Sequence, residues 1–202
     1  MVSDGDFEIY LASASPRRRE LLHQVGIRFH VISGLDVEEC QMANETPVEF
    51  ATRVACDKAR AGLQWIISNG LPIKPVLGAD TCIEIDGEIL GKPADREDAY
   101  SMLRRLSGRT HNVLSSICLA EGSAGQNRVL SDINCSKVSF RDLGDEEIEQ
   151  YWNTGEPVDK AGAYAIQGIA ATFITKLEGS FSGVVGLPLF ELDGLLKNTG
   201  IR

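Results

Sequence analysis

The chain has 202 residues, of which 43% are hydrophobic and 24% charged, and its formal net charge is −9. This length and composition predict a globular protein with a proper hydrophobic core. The negative charge argues against a general nucleic-acid binder, which needs a broad basic surface. The chain has no run of about 18 apolar residues, so we predict no membrane span.

The five cysteines are scattered, odd in number and without a CxxC pair, which argues against both a disulfide framework and a zinc site. They are Cys40, Cys56, Cys82, Cys118 and Cys135. The first residues lack a basic region followed by an apolar segment, so we expect no signal peptide. A cytoplasmic protein with reduced thiols is therefore the expectation.

The first predicted strand, Phe7 to Ala12, is followed by a helix that begins at Pro16, with Ser15 at the N-cap, and stops at Gly26. Arg17, Arg18 and Arg19 lie in the first turn of this helix, where the partial positive charge of a helix start favours acids instead. Together with the hydroxyls of Ser13 and Ser15 and the free N–H groups, they predict a phosphate site. The alternative is that the arginines are solvated or paired with nearby acids.

Ile27 to Ile32 alternates as a second strand, and the next loop has three carboxylates, Asp36, Glu38 and Glu39. Such a loop is usually solvated, but it is also a means of recruiting Mg²⁺ through carboxylates and substrate phosphates.

The sequence Thr46-Pro47-Val48-Glu49 is a capping box, which predicts a helix that runs to about Ile67. Lys58 falls on the apolar stripe of this helix. Its ammonium group either extends past the stripe to solvent or points into a pocket.

Pro75 to Ile85 predicts a strand, with a two-residue turn at Asp86-Gly87 and a returning strand at Glu88 to Leu90. Asp80 interrupts the apolar sequence of the first strand. A carboxylate in such a place needs a partner, a metal or a catalytic role, although a hydrogen bond to backbone would also satisfy it. The hairpin geometry lets Lys92 approach the Asp80 end of the strand.

The second half of the chain alternates helices and strands, so the predicted class is α/β with a mixed sheet. The segment 159–168 is rich in small residues, and it suits either a loop fitted around a ligand or a plain connection; Gln167 in it offers both a donor and an acceptor. The three histidines are scattered and predict no metal cluster.

The remaining predicted elements complete the alternation of helices and strands. They are a helix capped by Asp95 and stopped by Gly108, a strand from His111 to Leu119, a turn at Glu121 to Gln126, one or two strands over Val129 to Phe140, a helix over Asp145 to Trp152, a strand over Ala171 to Leu177, and a turn at Gly183 to Pro188 that starts the last helix.

Taken together, these stretches resemble the Maf family of nucleoside triphosphate pyrophosphatases. The matching runs come in the order of the family's motifs and span nearly the whole chain. They are Ser13-Ala14-Ser15-Pro16-Arg17-Arg18, Val37-Glu38-Glu39, Lys58-Ala59, Gly78-Ala79-Asp80-Thr81, Gly87-Glu88, Gly91-Lys92-Pro93, Lys160-Ala161-Gly162-Ala163-Tyr164, Ile166-Gln167-Gly168 and Val185-Gly186-Leu187-Pro188.

The resemblance implies a single domain over residues 1–202, elongated and similar to the inosine triphosphate pyrophosphatases, in which a mixed twisted sheet is flanked by helices and a cleft separates two lobes. It implies an enzyme that cleaves a nucleoside triphosphate to the monophosphate and pyrophosphate with a divalent metal, Mg²⁺ or Mn²⁺. It also suggests a homodimer.

The resemblance further implies roles for single residues. Asp80 is similar to the proton acceptor that activates water, and Glu39 to a metal-organising carboxylate, so that these two would hold the metal. Residues that match contacts to the triphosphate are Ser13, Arg18, Lys58 and Lys92. Residues that match positions linked to substrate choice are Arg17, Thr81 and Gln167.

The runs Asp80-Thr81 and Ile166-Gln167-Gly168 are similar to the branch that acts on dTTP and UTP, whereas the 7-methyl-GTP branch typically has Asp-Gln at the first place and lacks the second run. Gly91 departs from this pattern, because some members of the dTTP/UTP branch have Glu there. Two alternatives stay open: a 7-methyl-GTP pyrophosphatase, and a nucleotide-binding regulator of cell division or septum formation.

Overall fold

The computed structural model describes residues 7–123 and 126–201, without the side chains of residues 123 and 126. In these ranges the helices are α1 (Pro16–Gln24), α2 (Pro47–Ser68), α3 (Arg96–Leu106), α4 (Asp145–Asn153), α5 (Phe181–Val185) and α6 (Leu189–Asn198). The strands are β1 (Ile9–Leu11), β2 (Phe29–Val31), β3 (Val76–Ile85), β4 (Glu88–Leu90), β5 (Thr110–Ser123), β6 (Gln126–Phe140) and β7 (Ile174–Glu178).

These elements confirm the predicted mixed α/β class. The strands form one sheet in the order β2-β1-β3-β5-β6-β7, and β4 pairs with β3 outside that path. The β1 strand is parallel to both β2 and β3, whereas the pairs β3–β4, β3–β5, β5–β6 and β6–β7 are antiparallel. The capping box at the start of α2 is also confirmed, with Thr46 and Glu49 hydrogen-bonded reciprocally.

Two of the predicted boundaries after residue 120 are wrong. The turn predicted at Glu121 to Gln126 is shorter, because the β5–β6 ladder continues to the pair Ser123↔Gln126 and Glu121 pairs with Arg128; residues 124 and 125 of that turn lie outside the described residues. The strand predicted from Ala171 begins only at Ile174, because Ile169–Thr172 forms a 3₁₀ turn.

The turn predicted at Gly183 to Pro188 is wrong in its first half. Ser180 accepts a hydrogen bond from the N–H of Gly183 and so caps the short helix α5, which extends to Val185. Gly186 then turns the chain with a φ of 128°, a conformation that favours glycine.

Strand β3 has a gap in its pairing on one edge. It pairs along its length with β5, but on the other edge β1 pairs only with Val76 and Leu77, and β4 only with Ile83 to Ile85. In the part of the chain that the structure describes, residues 78–82 have no strand partner on that edge. The segments that leave β1 and β4 therefore meet beside the middle of β3.

The apolar residues of the sheet alternate between two packing partners. Leu77 and Ala79 pack in a cluster with residues of α1 and α6, whereas Val76 packs on the opposite face in a cluster with α2. Side chains of a strand alternate between its faces. Consequently Asp80 lies on the α2 face of β3, and Thr81 lies on the opposite face.

Helix α2 approaches β3 most closely at Gly78. A Cβ atom at this position would lie 2.2 Å from the carbonyl oxygen of Ala55 and 2.6 Å from the backbone nitrogen of Ala59. Both contacts are with backbone atoms of α2, so no change of a side-chain rotamer can relieve them. The absence of a side chain at Gly78 therefore allows the turn of α2 that contains Lys58 to lie directly on the strand that contains Asp80.

We predict that Gly78→Ala destabilises the protein by about 1–3 kcal/mol, the usual cost of overpacking a core, because α2 must move away from β3. Urea unfolding measures the change. The control is Gly194→Ala, an exposed position in α6 where a Cβ meets nothing within 4 Å; this change should be neutral or slightly stabilising, because alanine favours a helix. Equal stability of the Gly78→Ala variant and the wild type would contradict the close-contact explanation.

Candidate active site

The ammonium group of Lys58 joins two carboxylates. Its Nζ atom lies 2.8 Å from Oδ1 of Asp80 and 2.8 Å from Oε1 of Glu39. The side chains of Lys58 and Asp80 are 14% and 10% exposed. A buried carboxylate is stable only when it is paired and hydrogen-bonded, so Lys58 accounts for a charge in the middle of an otherwise apolar strand. Of the two interpretations of Lys58, the structure supports the one in which its ammonium group points into a pocket.

The pKa of Glu39 is lowered by this arrangement. Partial burial by itself would raise the pKa of this carboxyl group, but the hydrogen bond from Lys58 and the charges of Lys58, Lys92 and Arg18 together lower it. Lys92 contributes from 4.0 Å, through the second carboxylate oxygen of Glu39. The hairpin thus brings Lys92 to Glu39.

The guanidinium group of Arg18 reaches from α1 to the loop after α5. Its Nε donates to the carbonyl oxygen of Gly186 at 2.9 Å, and its Nη1 donates to Oγ of Ser13 at 3.0 Å. Burial lowers the pKa of Arg18, the charge of Asp80 opposes that shift, and the neighbouring Arg17 adds to it. Since a guanidinium group stays charged in proteins, Arg18 is a half-buried cation that an incoming anion would stabilise.

The side chain of Thr81 contacts both strand β5 and the loop after α5. Its hydroxyl shares a hydrogen bond of 2.9 Å with that of Ser115, and it lies 3.5 Å from the carbonyl oxygen of Gly186. Gly186 therefore accepts from both Arg18 and Thr81, and this links two positions that the sequence analysis assigned to the substrate.

The start of α1 has a concentration of positive charge. Ser15 occupies the N-cap position as predicted, but its hydroxyl makes no capping hydrogen bond, and its N–H donates to Oγ of Ser13. The first turn contains no acid. Burial lowers the pKa of Lys160, and the charge of Arg17 lowers it further. Two cations from distant parts of the chain thus lie near this helix start.

Gln167 is exposed, and within residues 7–123 and 126–201 no hydrogen bond or ion pair joins it to the Lys58 cluster. The preceding residue, Ile166, is buried in the cluster that includes Leu187. Gly162, two residues after Lys160, contacts the residue that follows β4, because its N–H donates to the carbonyl oxygen of Gly91 at 2.9 Å.

Three residues near these positions were missed as contributors to the site: Ser115, Lys160 and Gly186. Ser115 is fully buried beside a second buried serine in an apolar strand, and that pattern could have identified it. Lys160 and Gly186 belong to motifs quoted above. The contribution of Gly186 is a backbone carbonyl, which no side-chain pattern signals.

The described residues contain no group of three or more His, Cys, Asp or Glu side chains that could hold a metal ion. Asp80 and Glu39 nevertheless fit the chemistry of a hard cation. Lys58 contacts one oxygen of each carboxylate. The oxygens available as ligands are therefore Oδ2 of Asp80 and Oε2 of Glu39, the latter 4.0 Å from Nζ of Lys92. Mg²⁺ is usually bound in this way, by one or two carboxylates and by substrate phosphates.

Among the described residues no helix is long and apolar enough to cross a membrane.

Comparison with known proteins gives a consistent result over nearly the full chain. Residues 8–199 match the family model described as Maf-like protein. The chain is 47% identical over 200 residues to the dTTP/UTP pyrophosphatase of Aromatoleum aromaticum, with 95% of each chain covered. It is 47% identical to that of Dechloromonas aromatica, covering 96% of this chain and 98% of that one, and 49% identical to that of Hydrogenovibrio crunogenus, covering 95% of each.

We predict a specific pH dependence of stability for Glu39. Because its pKa is lowered in the folded state, its contribution is present above the unfolded-state pKa of about 4.5 and is lost as the pH falls through the folded-state value. Glu39→Gln should therefore reduce the free energy of unfolding at pH 7, and the difference from wild type should shrink below about pH 5. Denaturant unfolding over a pH series measures this difference. The control is Glu38→Gln at the neighbouring exposed position, and a deficit of Glu39→Gln that stays constant with pH would contradict the assignment.

Proposed function

The chain belongs to the Maf-like protein family, and we propose that it hydrolyses dTTP and UTP to the nucleoside monophosphate and pyrophosphate. The names of the relatives supply the substrates. The observation on which the proposal depends is the contact of Lys58 with both Asp80 and Glu39, beside a gap in the sheet bordered by Arg18 and Lys92. We take this gap to be the substrate cleft.

In this proposal Asp80 accepts the proton of the attacking water. The water oxygen forms a bond to phosphorus, the bridging P–O bond breaks, and pyrophosphate leaves with the electron pair of that bond. A carboxylate within reach of the water is suited to general-base catalysis. Lys58 holds Asp80 in one orientation at 2.8 Å, so that little of the catalytic geometry has to form after the substrate binds.

The cations around the gap bind the triphosphate. Arg18 and Ser13 are already hydrogen-bonded to each other, and both belong to the start of α1 and the residues just before it, where backbone N–H groups favour a phosphate. Arg17, whose charge acts on Arg18, and Lys92, which lies 4.0 Å from Glu39, add to this positive charge. Lys160, which is near Arg17, joins the same set. The overall charge of −9 makes this local concentration of cations the place where an anionic substrate is attracted.

A divalent cation, Mg²⁺ or Mn²⁺, would be held by Asp80 and Glu39 together with phosphate oxygens. When bound, it lowers the pKa of water and neutralises charge that develops on the phosphates. The fit depends on the carboxylate oxygens that do not contact Lys58, which are Oδ2 of Asp80 and Oε2 of Glu39; the latter also lies 4.0 Å from Nζ of Lys92.

Thr81 and Gln167 are the proposed determinants of the nucleobase. Gln167 offers an amide donor and acceptor at an exposed position. A 7-methyl-GTP pyrophosphatase and a nucleotide-binding regulator are the two competing functions. Faster turnover of 7-methyl-GTP than of UTP and dTTP would indicate a 7-methyl-GTP pyrophosphatase. Nucleotide binding without turnover would indicate a regulator.

We predict that Asp80→Asn lowers kcat for UTP by a factor of about 10²–10⁴, the usual contribution of a general base, with little change in nucleotide binding. Lys58 keeps its contact with Glu39 in this variant, so the fold should be retained. Pyrophosphate release and isothermal titration with UTP measure the two quantities. The matched control is Asp132→Asn, an exposed carboxylate on β6. Wild-type turnover in the Asp80→Asn variant would eliminate Asp80 as the base.

We predict that Gln167→Ala changes the preference among nucleotides more than the turnover of the preferred one, because the amide contacts the base and not the phosphates. The ratio of kcat/KM for UTP to that for CTP and 7-methyl-GTP measures the preference. The control is Gln64→Ala on the exposed side of α2. An unchanged ratio would exclude Gln167 from base selection.

A further inference from the structure

The carboxylate of Glu156 caps a turn that belongs to another segment. It accepts hydrogen bonds from the N–H groups of Ile169 at 2.8 Å and Ala170 at 3.2 Å. These are the first two N–H groups of the 3₁₀ turn Ile169–Thr172, whose N-cap residue is Gly168. Glycine has no side chain to satisfy such donors, so Glu156, 13 positions before Ile169, supplies the acceptor.

Gly168 is required for this contact. A Cβ atom on Gly168 would lie 2.3 Å from Oε2 and 2.4 Å from Oε1 of Glu156. The backbone of the turn therefore rests directly against the carboxylate. Any side chain at this position would separate the turn from its cap.

A third donor fixes the carboxylate. The hydroxyl of Tyr151 donates to Oε1 of Glu156 at 2.8 Å, and Tyr151 is buried in the core formed by α3, α4 and the end of the sheet. Burial, and then the hydrogen bond to Glu156, raise the pKa of Tyr151, so that its hydroxyl remains a donor. The N–H of Glu156 donates in turn to Oγ1 of Thr154.

The other side of the turn is anchored in the core. Ile166 is buried in the cluster that contains Val185 and Leu187, and the buried Tyr164 hydroxyl lies 2.8 Å from Nε2 of His111. Gln167 is thus an exposed residue between a buried residue and a capped turn. Its backbone is fixed on both sides, whereas its side chain faces solvent.

We propose that Glu156 is a positioning residue for nucleobase recognition, because it fixes the backbone that follows Gln167. This inference rests on the proposed role of Gln167. A recognition amide on a fixed backbone loses little conformational freedom on binding, and it can discriminate between bases that differ in one donor or acceptor. Without the cap, Gln167 should contact several bases about equally.

The test compares Glu156→Ala, Glu156→Gln and Tyr151→Phe with the wild-type enzyme. For each, kcat and KM are measured for UTP, dTTP, CTP and GTP, and hydrogen exchange is measured at the amides of Ile169 and Ala170. Glu156→Ala should reduce the ratio of kcat/KM for UTP to that for CTP by about tenfold, with faster exchange at both amides. Glu156→Gln, which retains one acceptor oxygen, should recover part of the ratio, and Tyr151→Phe should have a smaller effect.

The matched control is Glu147→Gln, which removes a carboxylate that binds Arg141 and that lies on α4, the helix that also contains Tyr151. It should lower stability without changing the ratio. Faster exchange at both amides with an unchanged ratio in Glu156→Ala would overturn the proposal, as would an equal loss for all four nucleotides. If Glu156→Ala does not fold, Glu156→Gln and Tyr151→Phe replace it in the test. Faster exchange at the amides of Ile169 and Ala170 with an unchanged kcat/KM ratio in these variants would then overturn the proposal. Absence of turnover by the wild-type enzyme would instead contradict the proposed function.

Discussion

The close contact between α2 and β3 at Gly78 is the constraint on which the site depends. It brings Lys58 within 2.8 Å of both Asp80 and Glu39, so that one ammonium group compensates two carboxylates. Removal of charged groups from water is costly unless they are paired. The pairing therefore allows a largely buried carboxylate to persist in the middle of a strand that is otherwise built for the core. A bulkier residue at Gly78 would affect packing and charge compensation together.

The interrupted edge of β3 determines where the other residues lie. Because β1 and β4 pair with opposite ends of this edge, the residues that follow them, Ser13 and Lys92, both approach the unpaired middle of the strand. Alternation along β3 places Asp80 and Thr81 on opposite faces. The carboxylate thus meets α2, and the hydroxyl meets the Gly186 loop. The proposed base and the proposed recognition hydroxyl thus lie on opposite faces of the same strand.

Much of this arrangement could be predicted from local sequence. An aspartate in an apolar strand, a lysine on an apolar helix stripe and arginines at a helix start each violate a local preference, and the structure brings Lys58 and Asp80 into direct contact. The roles of Gly186 and Glu156 could not be predicted in this way. Gly186 acts through its backbone carbonyl toward Arg18, which is 168 positions away, and Glu156 acts through its contact with the backbone of another turn. The short helix α5 was missed because a serine cap starts a helix where a turn was predicted. The start of β7 was predicted three residues too early because Ile169–Thr172 forms a 3₁₀ turn.

We propose that the Lys58–Asp80–Glu39 cluster serves a nucleoside triphosphate pyrophosphatase. Phosphorus NMR of UTP incubated with the enzyme and Mg²⁺ tests it most directly, because this method distinguishes the products without a coupled assay. We expect UMP and pyrophosphate to appear in equal amounts, with no UDP and no orthophosphate at early times. Formation of UDP and orthophosphate, or the persistence of UTP and dTTP alike with either Mg²⁺ or Mn²⁺, would contradict it.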